Sequence, residues 1–232
     1  MQRRKFTALF TSFAALWGMR GQAHAASLNE LDAATGVRAA LERGALAAVG
    51  LLGKTDGFLG NPKVRIPLPG FLNDAAKLLK ATGQQKRVDQ LVTAMNRAAE
   101  AAMPEAKSLL VSTVKAMSVD DAVKVVKGGD NSVTQFFADK TREPLGVKFL
   151  PIVTQATEKV SLAARYNSVA SKAATFGLLK KEDANIEQYV SGKALDGLFL
   201  MIGEEERKIR KDPTATGSAI LKKVFGSLKQ GG

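Results

Sequence analysis

The sequence predicts an all-α fold: a single-domain, multi-helix bundle of about eight to ten helices around a central buried helix, with one extended non-helical arm. Three observations carry this. From Asn185 to Pro213 runs the longest segment that reads as one helix with both ends marked. Asn185 and Gln188 have capping-box spacing, and Pro213 follows a last turn rich in Lys and Arg. Within it Leu198, Phe199, Leu200, Met201 and Ile202 are consecutive, so apolar side chains point all round the helix and only surrounding helices can bury them. Elsewhere apolar residues recur at helical spacing between caps and stops, and only Lys54 to Gly70 is too rich in Gly, Asn and Pro to be helical.

At the N-terminus, Arg3, Arg4 and Lys5 precede an apolar run from Phe6 to Met19 and then Ala23-His24-Ala25, a small-x-small cleavage pattern. An export signal over residues 1–25 and a single helical domain over 26–232 are therefore expected, with the periplasm as location. The run is too short to span a bilayer. Arg3-Arg4-Lys5-Phe6 fits the twin-arginine route as well as Sec export.

Removing residues 1–25 takes the only His, His24, and the only Trp, Trp17, from a chain that has no Cys. Ser-His-Asp and Cys-His catalysis, Cys/His zinc sites, Glu-x-x-His di-iron sites and disulfides are thereby excluded from the mature chain, and no metal or cofactor is expected. The removed segment carries four basic residues and no acidic one, which takes the net charge from +12 to +8. Such a charge favours anionic partners, among them phospholipid headgroups, lipopolysaccharide and acidic polymers. Nucleic acid is not expected, because there is no recognised binding motif and no dense Arg tract.

Taken in order, Ser27 and Glu30 have capping-box spacing and open a helical region that reaches Gly53, with Gly36 as the point where it would break. In the arm, Lys54 to Gly70, Val64, Ile66 and Leu68 alternate as in a strand. Pro67 and Pro69 would each remove a ladder donor, so an edge strand or extended arm is the most that can form. As structure it is a loop over the bundle; as function it is the rim or lid of a site. A short helix from Phe71 to about Ala81 ends at Gly83, and a second runs from Gln85 to Met103. Pro104 fits the first turn of a helix to Met117, and Ser118 with Asp121 caps one that ends at Gly128-Gly129. A helix over about Ser132 to Lys140 turns Phe136-Phe137 inward. A separate one from about Pro144 to Val160 contains Pro151, which should kink or divide it. Ser161 caps a helix to Phe176, in which Tyr166 and Asn167 interrupt an alanine-rich face. The central helix follows, and a last helix spans about Gly217 to Leu228.

Several blocks in order, DGFLGNPKVRIPLPG (56–70), NRAAEAAMPEAK (96–107), MSVDDAVKVVKGGDNSVTQFF (117–137), KFLPIV (148–153), YVSGKALDGLFLMIGEEERKIRKDP (189–213) and LKKVFG (221–226), resemble the bacterial domain-of-unknown-function family 4197. The resemblance covers about residues 28–226 and departs at Gly203, where Ala is expected. It implies an exported, helical envelope protein and no particular activity.

Candidate functional residues come from polar groups set among apolar ones. Asn96, Arg97 and Glu100 fall on neighbouring positions of one helix face, either as a paired structural network or as a ligand-contacting site. Asp196 stands just before the apolar run of the central helix and needs a partner, for which Arg97 or Arg65 is expected. Glu204, Glu205 and Glu206 precede Arg207, Lys208, Arg210 and Lys211, giving Glu204/Lys208 and Glu206/Arg210 at four-residue spacing. Glu206 shares a side with Leu195, Phe199, Ile202 and Ile209, so at least one of these carboxylates should point inward. Tyr166 completes the set. The final helix sets Ile220, Leu221, Val224, Phe225 and Leu228 beside Lys222, Lys223 and Lys229, a basic amphipathic pattern.

Three readings follow. The favoured one is a non-enzymatic periplasmic protein whose Ala- and Gly-lightened helices leave a cavity for a lipid or other small apolar ligand. The second is a structural or interaction protein of the envelope, using the basic last helix or the arm against an anionic membrane or a partner protein. The third is a carboxylate-dependent hydrolase using Glu205 and Asp196.

Overall fold

The computed structural model of the chain describes residues 20–177 and 185–212, all of whose regular elements are helical. The elements are α1 (Arg20–Leu52), α2 (Gly70–Ala81), α3 (Gln85–Ala102), a 3-10 turn (Met103–Glu105), α4 (Ala106–Lys115), α5 (Val119–Lys127), α6 (Ser132–Thr157), α7 (Ser161–Thr175) and α8 (Ile186–Lys211). The last helix expected from the sequence lies outside the described residues.

Local signals place several boundaries. At α5 the Ser118 hydroxyl accepts from the Asp121 amide while the Asp121 carboxylate accepts from the Ser118 amide, a complete capping box. The Asn185 side chain accepts from the Gln188 amide and starts α8. Gly83 closes the α2 to α3 turn at φ +75°, a left-handed conformation that suits glycine.

Two boundaries differ from the sequence reading. α1 does not break at Gly36 and does not begin at Ser27. The alanines from Ala23 to Ala26, where the cleavage point is read, extend it, and burial of Ala34, Val37, Ala40, Leu41, Ala45 and Ala48 outweighs a glycine penalty of about 1 kcal/mol.

The second difference is larger. The expected helices 132–140 and 144–160 are one helix, α6, with Pro144 and Pro151 inside it. Both prolines are exposed, and so are Lys140 and Val147, whose carbonyls lose their helical donors; the freed groups therefore face water. The buried residues of α6 are Val133, Phe137, Thr141, Leu145, Phe149, Val153 and Thr157, every fourth position. Each step of four advances about 40° round the helix, so the buried stripe winds through about 240° from end to end. The helix thus presents successive sides to α3, α4, α5 and α8, and it has no single polar face to read.

Alternation in the arm is real, although no strand forms. Val64 and Ile66 are buried while Arg65 and Pro67 are exposed. Phe58, at the arm's first bend, is fully buried against α8, where a Cβ on Gly197 would lie 2.7 Å from its ring. α8 packs on α1, α3, α6 and α7.

Candidate functional site

The trio on α3 holds the arm. Ile66 has lost the strand partner its spacing suggests, and the Asn96 amide replaces it. Asn96 Oδ1 accepts from the Ile66 amide at 2.8 Å, and Nδ2 donates to the Ile66 carbonyl at 2.9 Å and to the Val92 carbonyl at 2.8 Å. One turn further on, Glu100 Oε1 accepts from the amides of Phe58 and Leu59, each at 3.0 Å. Its other oxygen takes Arg97 Nη1 at 2.6 Å, and Arg97 Nη2 reaches Asp56 at 2.8 Å. The Glu100 hydrogen bond, and then that to Asp56, hold the Arg97 guanidinium further toward its protonated form. All three side chains therefore serve one structural task, and Tyr189 helps by donating its hydroxyl to the Pro67 carbonyl.

At the end of α8 the three glutamates separate. Glu206 is buried and caps α6: it accepts from the Val133 amide, from the Thr134 amide and hydroxyl, and from Arg210 Nε and Nη2. Arg210 in turn donates to the Val125 carbonyl and the Ser132 hydroxyl, which ties α5, α6 and α8 together. A negative group at the positive end of α6 is favourable, and the arginine neutralises it. Glu204 pairs instead with Lys63 of the arm and with Arg207, and the Lys63 contact leads in holding its carboxyl below the usual range. Glu205 pairs with Lys208. The expected Glu206/Arg210 pair forms, but the expected Glu204/Lys208 pair does not, because Glu204 meets Arg207 and Glu205 meets Lys208 at three-residue spacing.

Asp196 is half exposed, not buried. Its partners are Arg142 of α6 at 3.0 Å and Lys193 at 3.6 Å, where Arg97 or Arg65 was expected. It escapes the interior because it lies on the side of α8 that also carries Lys193, Leu200 and Arg207, all of them exposed. Asp196 and Glu205 are nine residues apart on one helix, so they lie on opposite sides and about 14 Å apart along the axis. Two carboxylates that share a glycosidic bond are about 5–10 Å apart. Tyr166 is buried, and its neighbour Asn167 belongs to a cluster that sequence spacing does not reveal. Asn167 Nδ2 donates to both oxygens of buried Glu187, Thr157 lies 3.3 Å from the same carboxylate, and Asn167 Oδ1 accepts from the Ile186 amide. This cluster fastens α6 and α7 to the start of α8.

The blocks that hold the arm on α3 and the Glu206 cap on α6 are among those on which the family resemblance rests, whereas the Asn167/Glu187 cluster lies outside them. A family model described as Protein of unknown function (DUF4197) matches residues 27–226. The chain belongs to the DUF4197 family. Neither the curated proteins nor the solved structures yield a match. In this member, Gly203 lies beneath α6, and a Cβ there would come within 3.1 Å of the Thr134 hydroxyl that serves Glu206.

Arg65 is exposed on the arm and takes no part in these clamps. It lines a concavity of about 450 Å3 between the arm, α2 and α3, beside a larger one of about 910 Å3 at the junction of α3 with the α6–α7 turn. Both open to solvent. Val37, Ala40, Leu41, Val125, Val133 and Ile209 surround an apolar space of only about 10 Å3, the least that holds one water. Among the described residues no group of acidic side chains is placed to hold a metal ion, and no helix is long and apolar enough to cross a membrane.

Proposed function

We propose that this DUF4197 member is an exported, non-enzymatic protein of the cell envelope that works as a rigid interaction module. One observation carries the reading: the buried carboxylates Glu100, Glu187 and Glu206 are each filled by amide or cation donors that fasten one element to another. A carboxylate committed to several donors is a poor general base, since taking a proton would break those bonds. In this reading α8 is the central helix, and its polar residues set the positions of the arm, α6 and α7. The apolar-ligand reading has less support, because the apolar space described between α1, α5, α6 and α8 holds only about 10 Å3, about one water.

The test is native mass spectrometry of the protein recovered gently from a bacterial periplasm. The expected result is a chain that begins near Ala26 and is held in an assembly with an envelope component. A stoichiometric apolar ligand on an otherwise monomeric chain would return the weight to the binding reading. A chain absent from the periplasmic fraction and found uncleaved in the cytoplasmic one would remove the envelope altogether.

A further inference from the structure

The two concavities beside α3 share Asp89 and Thr93, so they flank a single ridge. The larger brings Lys86 and Arg87 of α3 together with Lys159 of the α6–α7 turn, and the smaller adds Arg65 and Lys80. Asp89 is the only acidic residue in either lining, and it accepts a hydrogen bond from Gln85. None of the five cations has a carboxylate partner among the described residues; Arg87 reaches only the amide oxygen of Gln84. Other surface cations are matched in part, as in Lys63/Glu204, Arg142/Asp196 and Lys208/Glu205, while Lys107 and Lys115 line a concavity of α4 with no basic residue from a second element. What sets this groove apart is that α3, the arm, α2 and the α6–α7 turn all contribute cations to it.

This is an unfavourable arrangement for a chain left to itself. Like charges gathered in a groove repel, and low-dielectric walls focus the field between them. Lys86 and Arg87 also occupy the first turn of α3, which holds no acidic residue and whose dipole disfavours cations. Where local rules are broken without compensation inside the molecule, a ligand is the usual compensation. The apolar wall residues Ala94, Val160 and Leu162 stand beside the cations, so the groove suits an amphiphile whose head carries the charge.

We infer that this groove binds a phosphate-bearing anion, supplied either as a phospholipid or phosphorylated glycolipid headgroup or as a soluble phosphate ester. Lysine and arginine together favour phosphate, as point charges and as a planar fork for its oxygens. The inference rests on the envelope-interaction reading and gives its partner a chemical class.

The test is an amide-shift titration of the purified protein with inorganic phosphate, paired with co-sedimentation on neutral phosphatidylcholine vesicles with and without phosphatidylglycerol. Saturable shifts are expected at Gln85–Arg87 and Lys159–Leu162. K86E/K159E should weaken binding at least tenfold, and K107E/K115E, equal in charge change but on the concavity of α4, by less than twofold. Acidic residues suit the first turn of α3, so the groove variant should still fold. Shifts with sedimentation on the anionic vesicles assign a headgroup, and shifts without sedimentation assign a soluble ester. Absence of shifts at these amides, or equal losses in the two double variants, would overturn the site. An envelope assembly that survives K86E/K159E removes the groove and keeps the interaction reading, whereas phosphate binding with no assembly does the reverse.

Discussion

A Cβ placed on Gly197 would lie 2.7 Å from Phe58 Cε1 and 3.3 Å from Val64 Cβ, and Phe58 is fully buried. Overpacking of this kind costs about 1–3 kcal/mol, against the roughly 1 kcal/mol that alanine gains over glycine inside a helix. Gly197→Ala is therefore expected to lower stability by up to about 2 kcal/mol. Gly192, on the same helix, has nothing within 4 Å of such a Cβ, so Gly192→Ala should raise stability by up to about 1 kcal/mol. Urea denaturation of both reads the opposite signs directly. Asn96→Ala removes three hydrogen bonds and strands both polar groups of Ile66, for an expected loss of about 3 kcal/mol. Hydrogen exchange should locate that loss in the arm, with Ile66 deprotected before the core of α8. Spacing in the sequence was enough to single out the α3 trio. Its purpose was not legible, because the groups it binds lie 30 to 42 residues away. Asp196 fails for the same reason, its main partner being 54 residues distant.

Helix ends were the most legible elements, since a cap is decided by residues three apart. Ser118/Asp121 forms the complete capping box its spacing implies and Asn185/Gln188 forms the side-chain half of one, whereas Ser27/Glu30 lies inside α1 and starts no helix. α6 was not legible, because its buried residues step by four and never define one face, and because exposed prolines are tolerated where the freed carbonyls meet water. Its start is fixed from outside by Glu206, a side chain that follows Val133 by 73 residues. Glu206→Gln keeps the shape and removes the charge, turning an amide group toward backbone donors and leaving Arg210 without its anion. The expected cost is about 3 kcal/mol, of the order found when one partner of a buried pair is lost. Weaker exchange protection at the first turn of α6 and at the end of α5 should accompany it, and loss confined to the end of α8 would contradict the capping role.

At the scale of the whole molecule, charge readable from the sequence meets pairing that only the fold supplies. The chain carries 34 basic and 22 acidic residues, so protonating its carboxylates leaves a large unopposed positive charge. Two carboxyls have a specific reason to resist. Hydrogen bonds from the Ser118 backbone and then its side chain hold Asp121 below the usual range, and Lys63 leads in doing the same for Glu204. A depressed carboxyl contributes stability that is fully present above its unfolded value and is lost as pH falls through the lower folded value. Melting temperature should therefore be flat near neutrality and decline from about pH 5 downward. Moderate salt should offset part of the decline by screening the net charge, but should not restore the hydrogen-bonded cap. Ser118→Ala separates the two contributions. It should cost about 1 kcal/mol at pH 7 through the lost cap, and the difference from the parent should shrink toward acid as Asp121 protonates in both proteins. A difference that stays constant to pH 3 would mean that Asp121 takes no pH-dependent part in the cap, and the acid transition would then belong to net charge and the remaining ion pairs.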